Sequence, residues 1–361
     1  MPAYKLTGSC IWNSFQNSNK KHIIITGTRK AGKSTLLKEL FPMPLPGITT
    51  WAEPGQAVYL KENTSGNFLK TGIYDAALEG LENKMRLIED GFSTLGITAL
   101  KNAMQSDTKW ISIDEIGYLE SQCTDYLNII ADAMEQNHVA AVVRKQNLPH
   151  LKKICKGKDV FLIDLDAPFG NTGCVIMASG LGKRFGENKL MVEFNGKPLI
   201  SYILDATSGI FQKRIVVTRH KNVADFCKNI GVDVIIHTQP HKSDTIRLGL
   251  EALTDMEHCM FCTADQPLLS QDSIASLTLS AVNAPGKILR PSFENTPGSP
   301  VTFPQWMFEE LLHLPENQSG GSVIRQHADH IQYLSIAKHY ELEDIDTWED
   351  LIRLQKLSEI I

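Results

Sequence analysis

The sequence lacks several features that mark special classes of protein. It has no run of about 18 consecutive apolar residues, so no membrane-spanning helix is predicted. The first residues, Met1–Lys5, show no charged segment followed by an apolar one, which argues against a secretory signal. The formal net charge of -5 over 361 residues is small. Neither nucleic acid nor an anionic membrane is therefore expected as a partner.

Cysteine is scarce, and its pattern excludes a disulfide framework. The seven cysteines are an odd number and most stand among apolar residues. In a chain of this length such usage is typical of reduced thiols and predicts a cytoplasmic protein. Cys259 and Cys262 form a Cys-x-x-Cys, but no second pair has metal-ligand spacing, so we interpret both as buried structural residues.

Internal repeats and low-complexity tracts are absent, and apolar, β-rich runs alternate with amphipathic ones. One hydrophobic core rarely grows beyond about 250–300 residues, so two domains are expected. The break is predicted in the Pro- and Gly-containing segment 166–173. The alternation predicts an α/β fold of two tandem nucleotide-binding domains, residues 1–168 and 169–361, each a mostly parallel sheet with helices on both faces.

The predicted elements follow from these runs. Strands are predicted at His22–Thr26, Trp110–Ile113, Val139–Val143, Val160–Ile163, Cys174–Ala178, Arg214–Thr218, Val232–Ile236 and Met260–Thr263. Helices are predicted at Ser34–Leu40, Tyr74–Glu89, Thr124–Glu135 and Leu199–Ser208. The polar segment Asn13–Lys21 is predicted to form a short arm or an edge strand.

The first chemical motif is Gly27–Ser34, which fits G-x-x-x-x-G-K-[ST] between a strand and a helix. Backbone N–H groups of such a loop, together with the helix N-terminus, enclose phosphate oxygens. The predicted nucleotide-binding residues are Gly27, Gly32, Lys33, Ser34 and Thr35. Lys33 is expected to reach the terminal phosphates of ATP or GTP, and Ser34 to ligate Mg²⁺.

A second motif, Trp110–Glu115, is an apolar run that ends in two acids. With the phosphate loop it predicts that Asp114 holds the Mg²⁺ shell and that Glu115, a catalytic residue, orients or deprotonates a water. The alternative is that these acids only cap the next helix. A glutamate beside the metal favours hydrolysis over phosphate transfer to a metabolite.

Residues 20–166 resemble the small P-loop nucleoside-triphosphatase family first described from thermophiles. The resemblance is carried by the phosphate loop, by Leu95-Gly96 with Ala99-Leu100, and by Asp114–Gly117. It implies a P-loop NTPase domain that hydrolyses several NTPs slowly.

A second glycine-rich loop, Ser179–Gly186, follows the apolar run that ends at Ala178. Its glycines have one residue too many for a dinucleotide fingerprint, and Thr218-Arg219 stands where a ribose-binding acid is expected. Three cations in the loop region favour a triphosphate over a pyrophosphate. The predicted nucleotide-binding residues are Ala178, Ser179, Gly180, Gly182, Lys183 and Gly186.

This loop and three later segments are similar to the MobA-like NTP transferases. The segments are Thr263–Pro267, Gly298–Val301 and Asp344–Leu351, and their order and spacing match from about residue 173 to 356. The resemblance implies a Rossmann-like nucleotidyltransferase domain. Both Asp265-Gln266-Pro267 and Ala178-Ser179-Gly180 resemble the cytidylyltransferase branch, which implies CTP as nucleotide, molybdopterin as acceptor, and delivery of the product to a molybdenum hydroxylase.

The chemistry of such enzymes assigns roles to these residues. An acceptor phosphate attacks the α-phosphorus and pyrophosphate leaves, so the protein must position the reactants and stabilise charge. Arg184 is predicted to pair with β- and γ-oxygens, Lys189 to lie at the α-phosphate, and Asp265 to hold Mg²⁺. For the rest of the metal shell the candidates are Asp346 and Asp344, which alternatively cap the following helix.

Two further residues are predicted on the substrate side, Ser243 and Gly298. Ser243 opens a helical run with Thr245 and Arg247, and an ordinary N-cap is the alternative.

Three departures from the family pattern concern the acceptor. Gln239–Lys242 replaces a Gly-Met, Gln318 stands where an acid is expected, and Trp348 replaces a proline. Two alternatives therefore stay open. One is nucleotidyl transfer to a sugar or polyol phosphate. The other is a nucleotide-gated cofactor carrier or chaperone, in which the domain of Lys33 hydrolyses NTP to load or release a cofactor.

Overall fold

The protein is described from a computed structural model, which covers residues 3–78, 84–180, 185, 188–316 and 318–360. The chain divides into two compact units. One is Asn19–Pro168, and the other combines Met1–Ser18 with Phe169–Ile361. The first predicted domain, residues 1–168, therefore differs from the observed unit at its N-terminus.

The segment that changes unit contains the first helix, α1 (Gly8–Gln16). Thr7 caps it by accepting a hydrogen bond from the backbone N–H of Cys10 at 3.1 Å. Its apolar face is buried, and Ser14 Oγ donates to the carbonyl oxygen of Ser276, 2.9 Å away. The predicted arm or edge strand at 13–21 is thus wrong for residues 13–16, because they belong to a helix whose packing partner lies 262 residues along the chain.

The first unit contains four α-helices and eight strands among its described residues. They are β1 (His22–Thr26), α2 (Lys33–Leu40), β2 (Gly47–Glu53), β3 (Ala57–Glu62), β4 (Phe68–Tyr74), β5 (Met85–Leu87), α3 (Ile97–Met104), β6 (Trp110–Ile116), α4 (Thr124–Gln136), β7 (His138–Val143), α5 (Pro149–Cys155) and β8 (Val160–Asp164). Their sheet order is β5-β4-β3-β2-β6-β7-β1-β8. The neighbouring strands β2, β6, β7, β1 and β8 pair in parallel. The strands β2, β3, β4 and β5 pair in antiparallel fashion and extend the sheet beyond β2.

The antiparallel extension corrects one prediction. The segment Tyr74–Glu89 does not form the predicted long helix. Of its described residues, Ala76–Leu78 form a single 3-10 turn, and Tyr74 at the end of β4 pairs with Met85 of β5. Its apolar residues fit helical spacing as well as a short strand, and the pairing with β4 decides between them.

The second unit adds seven α-helices and ten strands to α1 among its described residues. They are β9 (Thr172–Ala178), β10 (Glu193–Phe194), β11 (Lys197–Pro198), α6 (Ile200–Ala206), β12 (Lys213–Thr218), α7 (Lys221–Asn229), β13 (Asp233–Ile236), α8 (Lys242–Glu251), β14 (His258–Thr263), α9 (Gln271–Asn283), β15 (Ile288–Phe293), β16 (Thr296–Pro297), β17 (Val301–Pro304), α10 (Phe308–Leu312), α11 (Gly320–Gln326), β18 (Ile331–Ser335) and α12 (Trp348–Ser358).

The main sheet of this unit has the order β13-β12-β9-β14-β17-β15-β16, with β18 paired to β15. The strands β13, β12, β9 and β14 are parallel, so their carboxyl ends meet at one edge. Both units are therefore α/β, as predicted. Cys259 and Cys262 are fully buried in β14, which confirms their structural interpretation. Within the described residues no helix is long and apolar enough to cross a membrane.

Gly249 allows α8 to approach β9 closely. A Cβ at this position would lie 2.5 Å and 2.8 Å from the two methyl carbons of Val175. We expect Gly249→Ala to lower the free energy of unfolding by about 1–3 kcal/mol, because the buried interface has no room for another methyl group. Urea denaturation of the full chain measures this. Gly286→Ala is the matched control, since its Cβ would meet no atom within 4 Å; equal destabilisation by both would contradict the expectation.

Candidate active sites

The loop Gly27–Ser34 connects β1 to α2 in the first unit. Gly27 and Gly32 have φ angles of 148° and 93°, which residues with a Cβ rarely adopt. The ammonium of Lys33 donates to the carbonyl oxygens of Gly27 and Thr28 at 2.9 Å and 2.8 Å. It therefore lies against the loop at the place where a nucleotide's phosphates are expected.

Ser34, in the first turn of α2, meets Asp114, which lies near the carboxyl end of β6. Ser34 Oγ donates to Asp114 Oδ1 at 2.7 Å. Asp114 is buried, and this burial is the main cause that raises the pKa of its carboxyl, although the hydrogen bond from Ser34 opposes it. A hydroxyl and a carboxylate oxygen are ligands that Mg²⁺ prefers. The pair therefore fits a magnesium ion, which these two residues would hold.

Glu115 occupies an irregular position in β6. The register of β6 on β7 shifts between Asp114 and Ile116, so that Glu115 is the extra residue of a bulge. Its φ of 152° is unusual for a residue other than glycine. The bulge turns the side chain into the cleft, where it forms an ion pair with Arg144. Glu115 therefore does not act as a simple helix cap.

The predicted residues of the first unit converge on one cleft. Its volume is about 960 Å³. The predicted residues that line it are Gly27, Gly32, Lys33, Ser34, Thr35 and Glu115. Asp114 reaches the cleft through its contact with Ser34.

The sequence interpretation missed three charged residues of this cleft region, namely Arg144, Lys145 and Asp166. Asp166 accepts from the backbone N–H and hydroxyl of Thr28, each at 2.9 Å, and from Lys145 Nζ at 2.9 Å. The hydrogen bond from Lys145 is the largest cause that lowers the pKa of Asp166 to about 2. All three follow strands that flank β1 or β6, and this position was the available signal.

Glu120 is a fully buried acid beside the same cleft. Its Oε2 accepts from the backbone N–H of Gly117 at 2.9 Å, and burial raises its pKa to about 7. The folded state thus holds this proton more tightly than the unfolded state does. The free energy of unfolding therefore includes a contribution from protonated Glu120 at low pH. This contribution is lost as the pH rises from about 4.5, the ordinary pKa of the group, to about 7, its pKa in the folded protein.

We expect Glu120→Gln to remove this loss. Relative to the native protein, the variant should gain about 2–3 kcal/mol in free energy of unfolding between pH 5 and pH 8. Urea denaturation at the two pH values measures the gain, with Glu135→Gln on an exposed part of α4 as control. A gain that is the same at both pH values would contradict a protonated Glu120.

The second unit holds the start of its glycine-rich loop firmly. Ser179 is buried, and its hydroxyl donates to the carbonyl oxygen of Val217 at 3.1 Å and lies 2.8 Å from Nε2 of His237. Arg219 donates twice to the carbonyl oxygen of Ser179, at 3.0 Å and 2.8 Å. His220 Nε2 lies 2.8 Å from the carbonyl oxygen of Gly180. These partners come from the carboxyl ends of β12 and β13 and were not predicted.

The remainder of the loop is only partly described. The predicted residues Gly182, Lys183, Arg184 and Gly186 lie outside the described residues. Phe185 is buried, and its ring centroid lies 4.5 Å from that of Trp348. The tryptophan that replaces the family's proline therefore contacts the glycine-rich loop.

Lys189 lies at the centre of an acidic cluster. Its Nζ donates to Asp265 Oδ2 at 2.7 Å, to the carbonyl oxygen of Ile345 at 2.7 Å and to Asp346 Oδ1 at 3.0 Å. Burial lowers the pKa of Lys189, but the negative charges of Asp265 and Asp346 outweigh it and the net shift is upward. Leu190, buried in the same turn Lys189–Met191, anchors this position.

The acids around Lys189 fit a divalent cation. Asp265 Oδ1 is buried and has no hydrogen-bond partner. Burial raises the pKa of nearby Asp344 to about 7, and the charges of Asp265 and Asp346 add to this. Helix α12 is capped by Thr347 with Asp350, so neither Asp344 nor Asp346 has the capping role. Asp265 and Asp346 would hold the ion.

Neither metal site is complete from acidic residues alone. Among the described residues no group of three or more His, Cys, Asp or Glu side chains is placed to hold a metal ion. Magnesium commonly keeps several waters and binds through one or two carboxylates together with substrate phosphates. Both sites therefore suit an ion that arrives with a nucleotide.

A pocket of about 450 Å³ joins these features in the second unit. The predicted residues that line it are Ser179, Gly180, Lys189, Asp265 and Asp346. Ala178 ends β9 immediately before the loop, and its carbonyl oxygen accepts from Thr218 Oγ1 at 2.9 Å.

Two other predicted residues do not line this pocket. Ser243 is buried in the first turn of α8, and Thr245 of the same turn lines the pocket instead. The N-cap of α8 is His241, so the capping alternative for Ser243 is wrong. Gly298 packs against Leu342, whose δ-carbons would lie 2.8 Å from a Cβ at this position.

Comparison with known proteins agrees with this division of the chain. A family model described as an NTPase matches residues 56–168, and one described as a MobA-like NTP transferase domain matches residues 174–331. The chain carries an NTPase domain followed by a MobA-like NTP transferase domain. The first match includes Asp114 and Glu115 but begins after the phosphate loop. The second includes Ser179, Lys189 and Asp265 but ends before Asp346.

Individual relatives are more distant. A probable molybdenum cofactor guanylyltransferase of Natranaerobius thermophilus is 26% identical over 110 residues, which are 30% of this chain and 53% of the relative. The chain thus spans between about a third and about half of the length of the curated relatives that it matches.

Two solved structures are similar to parts of the chain. A nucleotidyl transferase from Methanothermobacter thermautotroptrophicus is 18% identical with a TM-score of 0.45, and the match covers 52% of this chain and 96% of that one. THEP1 from Aquifex aeolicus is 24% identical with a TM-score of 0.35, and the match covers 40% of this chain and 89% of that one.

Proposed function

We propose that the MobA-like domain transfers a nucleotidyl group from an NTP to the phosphate of molybdopterin, with Mg²⁺ as cofactor. The observation that carries this proposal is the position of Lys189. Its ammonium lies between Asp265 and Asp346 in the pocket that begins at Ser179 and Gly180. A cation beside two acids, facing a phosphate-binding loop, suits a reaction in which charge moves from one phosphate to another.

The chain's own residues would share the work. The backbone N–H groups that follow Ser179 bind the triphosphate, and Arg219 keeps that turn in place through two hydrogen bonds. Lys189 turns from Asp265 to the α-phosphate and neutralises the charge that develops there. Asp265 and Asp346 would hold a magnesium ion, which would supply electrophilic assistance. The attacking phosphate of the acceptor forms a bond to the α-phosphorus as the bond to pyrophosphate breaks.

We propose CTP as the nucleotide, on the basis of Ala178-Ser179-Gly180 and Asp265-Gln266-Pro267. GTP is the second candidate, because the relative from Natranaerobius is named as a guanylyltransferase. Pyrophosphate release with each of the four NTPs, with and without molybdopterin, tests the proposal. The proposal predicts that pyrophosphate is released only when both CTP and molybdopterin are present. Release with GTP alone would move the chain to the guanylyl branch, and release only with a sugar or polyol phosphate would change the acceptor.

For residues 19–168 we propose hydrolysis of ATP or GTP. Lys33, the Ser34–Asp114 pair and Glu115 support it, since they supply a phosphate-binding cation, magnesium ligands and an acid that orients water. We further propose that residues 3–18 and 169–360 act together as the transferase domain. A cytoplasmic location and delivery of the product to a molybdenum hydroxylase complete the proposal.

A further inference from the structure

Arg144 lies between the two motifs of the first unit. In the sheet, β7 separates β1 from β6. Val142 of β7 pairs with Ile25 on one side and with Asp114 on the other. The carboxyl end of β7 therefore emerges between the phosphate loop, which follows β1, and Glu115. Arg144 is the first residue after this strand.

The surroundings hold Arg144 in the cleft from several directions. Its backbone N–H donates to the carbonyl oxygen of Ile116 at 2.9 Å. Its stem passes over Gly117, where a Cβ would lie 2.9 Å from the Arg144 Cδ. Its guanidinium carbon lies 5.9 Å from the ring centroid of Tyr118 and forms the ion pair with Glu115. Rotation of the Arg144 side chain alone would therefore turn its guanidinium toward the space next to the phosphate loop.

The ion pair with Glu115 contributes little as a structural element. The two side chains are 38% and 27% exposed, and solvent-accessible pairs stabilise a fold weakly. In this ion pair, the carboxylate of Glu115 is bound to Arg144. The proposed hydrolysis requires that carboxylate to orient or deprotonate a water. A terminal phosphate would compete for Arg144, since a guanidinium binds two phosphate oxygens in fork geometry.

This inference rests on the proposed NTP hydrolysis. We infer that Arg144 is a catalytic residue: when a nucleotide binds, its guanidinium leaves the ion pair with Glu115 and binds the terminal phosphate. The exchange frees Glu115 to accept a proton from water. The water oxygen bonds to the γ-phosphorus, the bond from that phosphorus to the β–γ bridging oxygen breaks, and the nucleoside diphosphate leaves. Arg144 keeps its proton throughout and stabilises the charge on the transferred phosphoryl group.

Phosphate release from ATP and GTP by the full chain tests the inference. Arg144→Ala should lower kcat by about 10²-fold or more, whereas ADP, which lacks the terminal phosphate, should bind with unchanged affinity. Arg144→Lys should retain part of the activity, because it keeps the charge but not the fork. Added guanidinium should restore part of the rate to Arg144→Ala and none to Lys33→Ala.

The matched control is Arg86→Ala, which removes an exposed arginine of β5 that does not line the cleft. A rate of Arg144→Ala within about threefold of the native rate would overturn the inference and leave the hydrolysis proposal intact. Loss of ADP affinity without guanidinium rescue would overturn it too, since a structural role then explains the defect. Absence of phosphate release by the native chain would instead refute hydrolysis itself, and the inference with it.

Discussion

Replacing Lys189 with methionine should lower the rate of pyrophosphate release in the presence of CTP and molybdopterin by about 10²–10³-fold. The ammonium is the cation that Asp265, Asp346 and the carbonyl oxygen of Ile345 hold together in the pocket. Methionine keeps a flexible chain of similar size, but it leaves the developing charge at the α-phosphate without a partner. The affinity for the nucleotide should change much less than kcat.

Two companion variants sharpen this prediction. Asp265→Asn should have an effect of similar size, because its carboxylate both orients Lys189 and provides the buried, unpartnered Oδ1 proposed to bind magnesium. Lys197→Met is the control, because Lys197 is half-exposed, pairs with Asp205 and does not line the pocket. If Lys189→Met retained a rate close to that of Lys197→Met, the assignment of Lys189 to the transferred phosphate would be wrong.

Lys33→Ala should reduce NTP hydrolysis by about 10²-fold or more and leave nucleotidyl transfer unchanged. Lys33 is the cation of the phosphate loop, and its ammonium already lies against the loop carbonyl groups. The acids and cation of the transferase site belong to the other unit. Phosphate release and pyrophosphate release, measured separately on one preparation, distinguish the two reactions.

The control for this variant is Lys101→Ala on an exposed part of α3, which should leave both reactions unaffected. The carrier alternative makes the opposite prediction in cells. It expects Lys33→Ala to block cofactor delivery and Asp265→Ala to be silent. Loss of cofactor maturation with Asp265→Ala and its retention with Lys33→Ala would favour transfer.

The sequence alone predicts the site residues whose role depends on their neighbours along the chain. The phosphate loop, Asp114 and Asp265 each follow an apolar run, so their place at the carboxyl end of a strand could be predicted. The parallel α/β class followed in the same way from the alternation of elements. Lys189 was found because it stands at a short distance from the glycine-rich loop.

Residues whose role depends on strand order could be placed after a predicted strand, but the sequence does not show which site that strand adjoins. Arg144 and Asp166 reach the first cleft only because β7 and β8 flank β1 in the sheet. Arg219 meets Ser179 because β12 lies beside β9. The place of α1 was missed for a related reason, since its partner α9 is far along the chain. A single sequence carries no direct signal of such pairings.

The most direct test of the transferase assignment follows the label of the nucleotide. The full chain would be incubated with molybdopterin and CTP labelled either at the α- or at the γ-phosphate, and the products separated. The account predicts that α-label enters the molybdopterin product and that γ-label leaves as pyrophosphate. Hydrolysis by the P-loop unit alone would release γ-label as phosphate and leave α-label in CDP. That second pattern, with no α-label on molybdopterin from CTP or GTP, would contradict nucleotidyl transfer to molybdopterin.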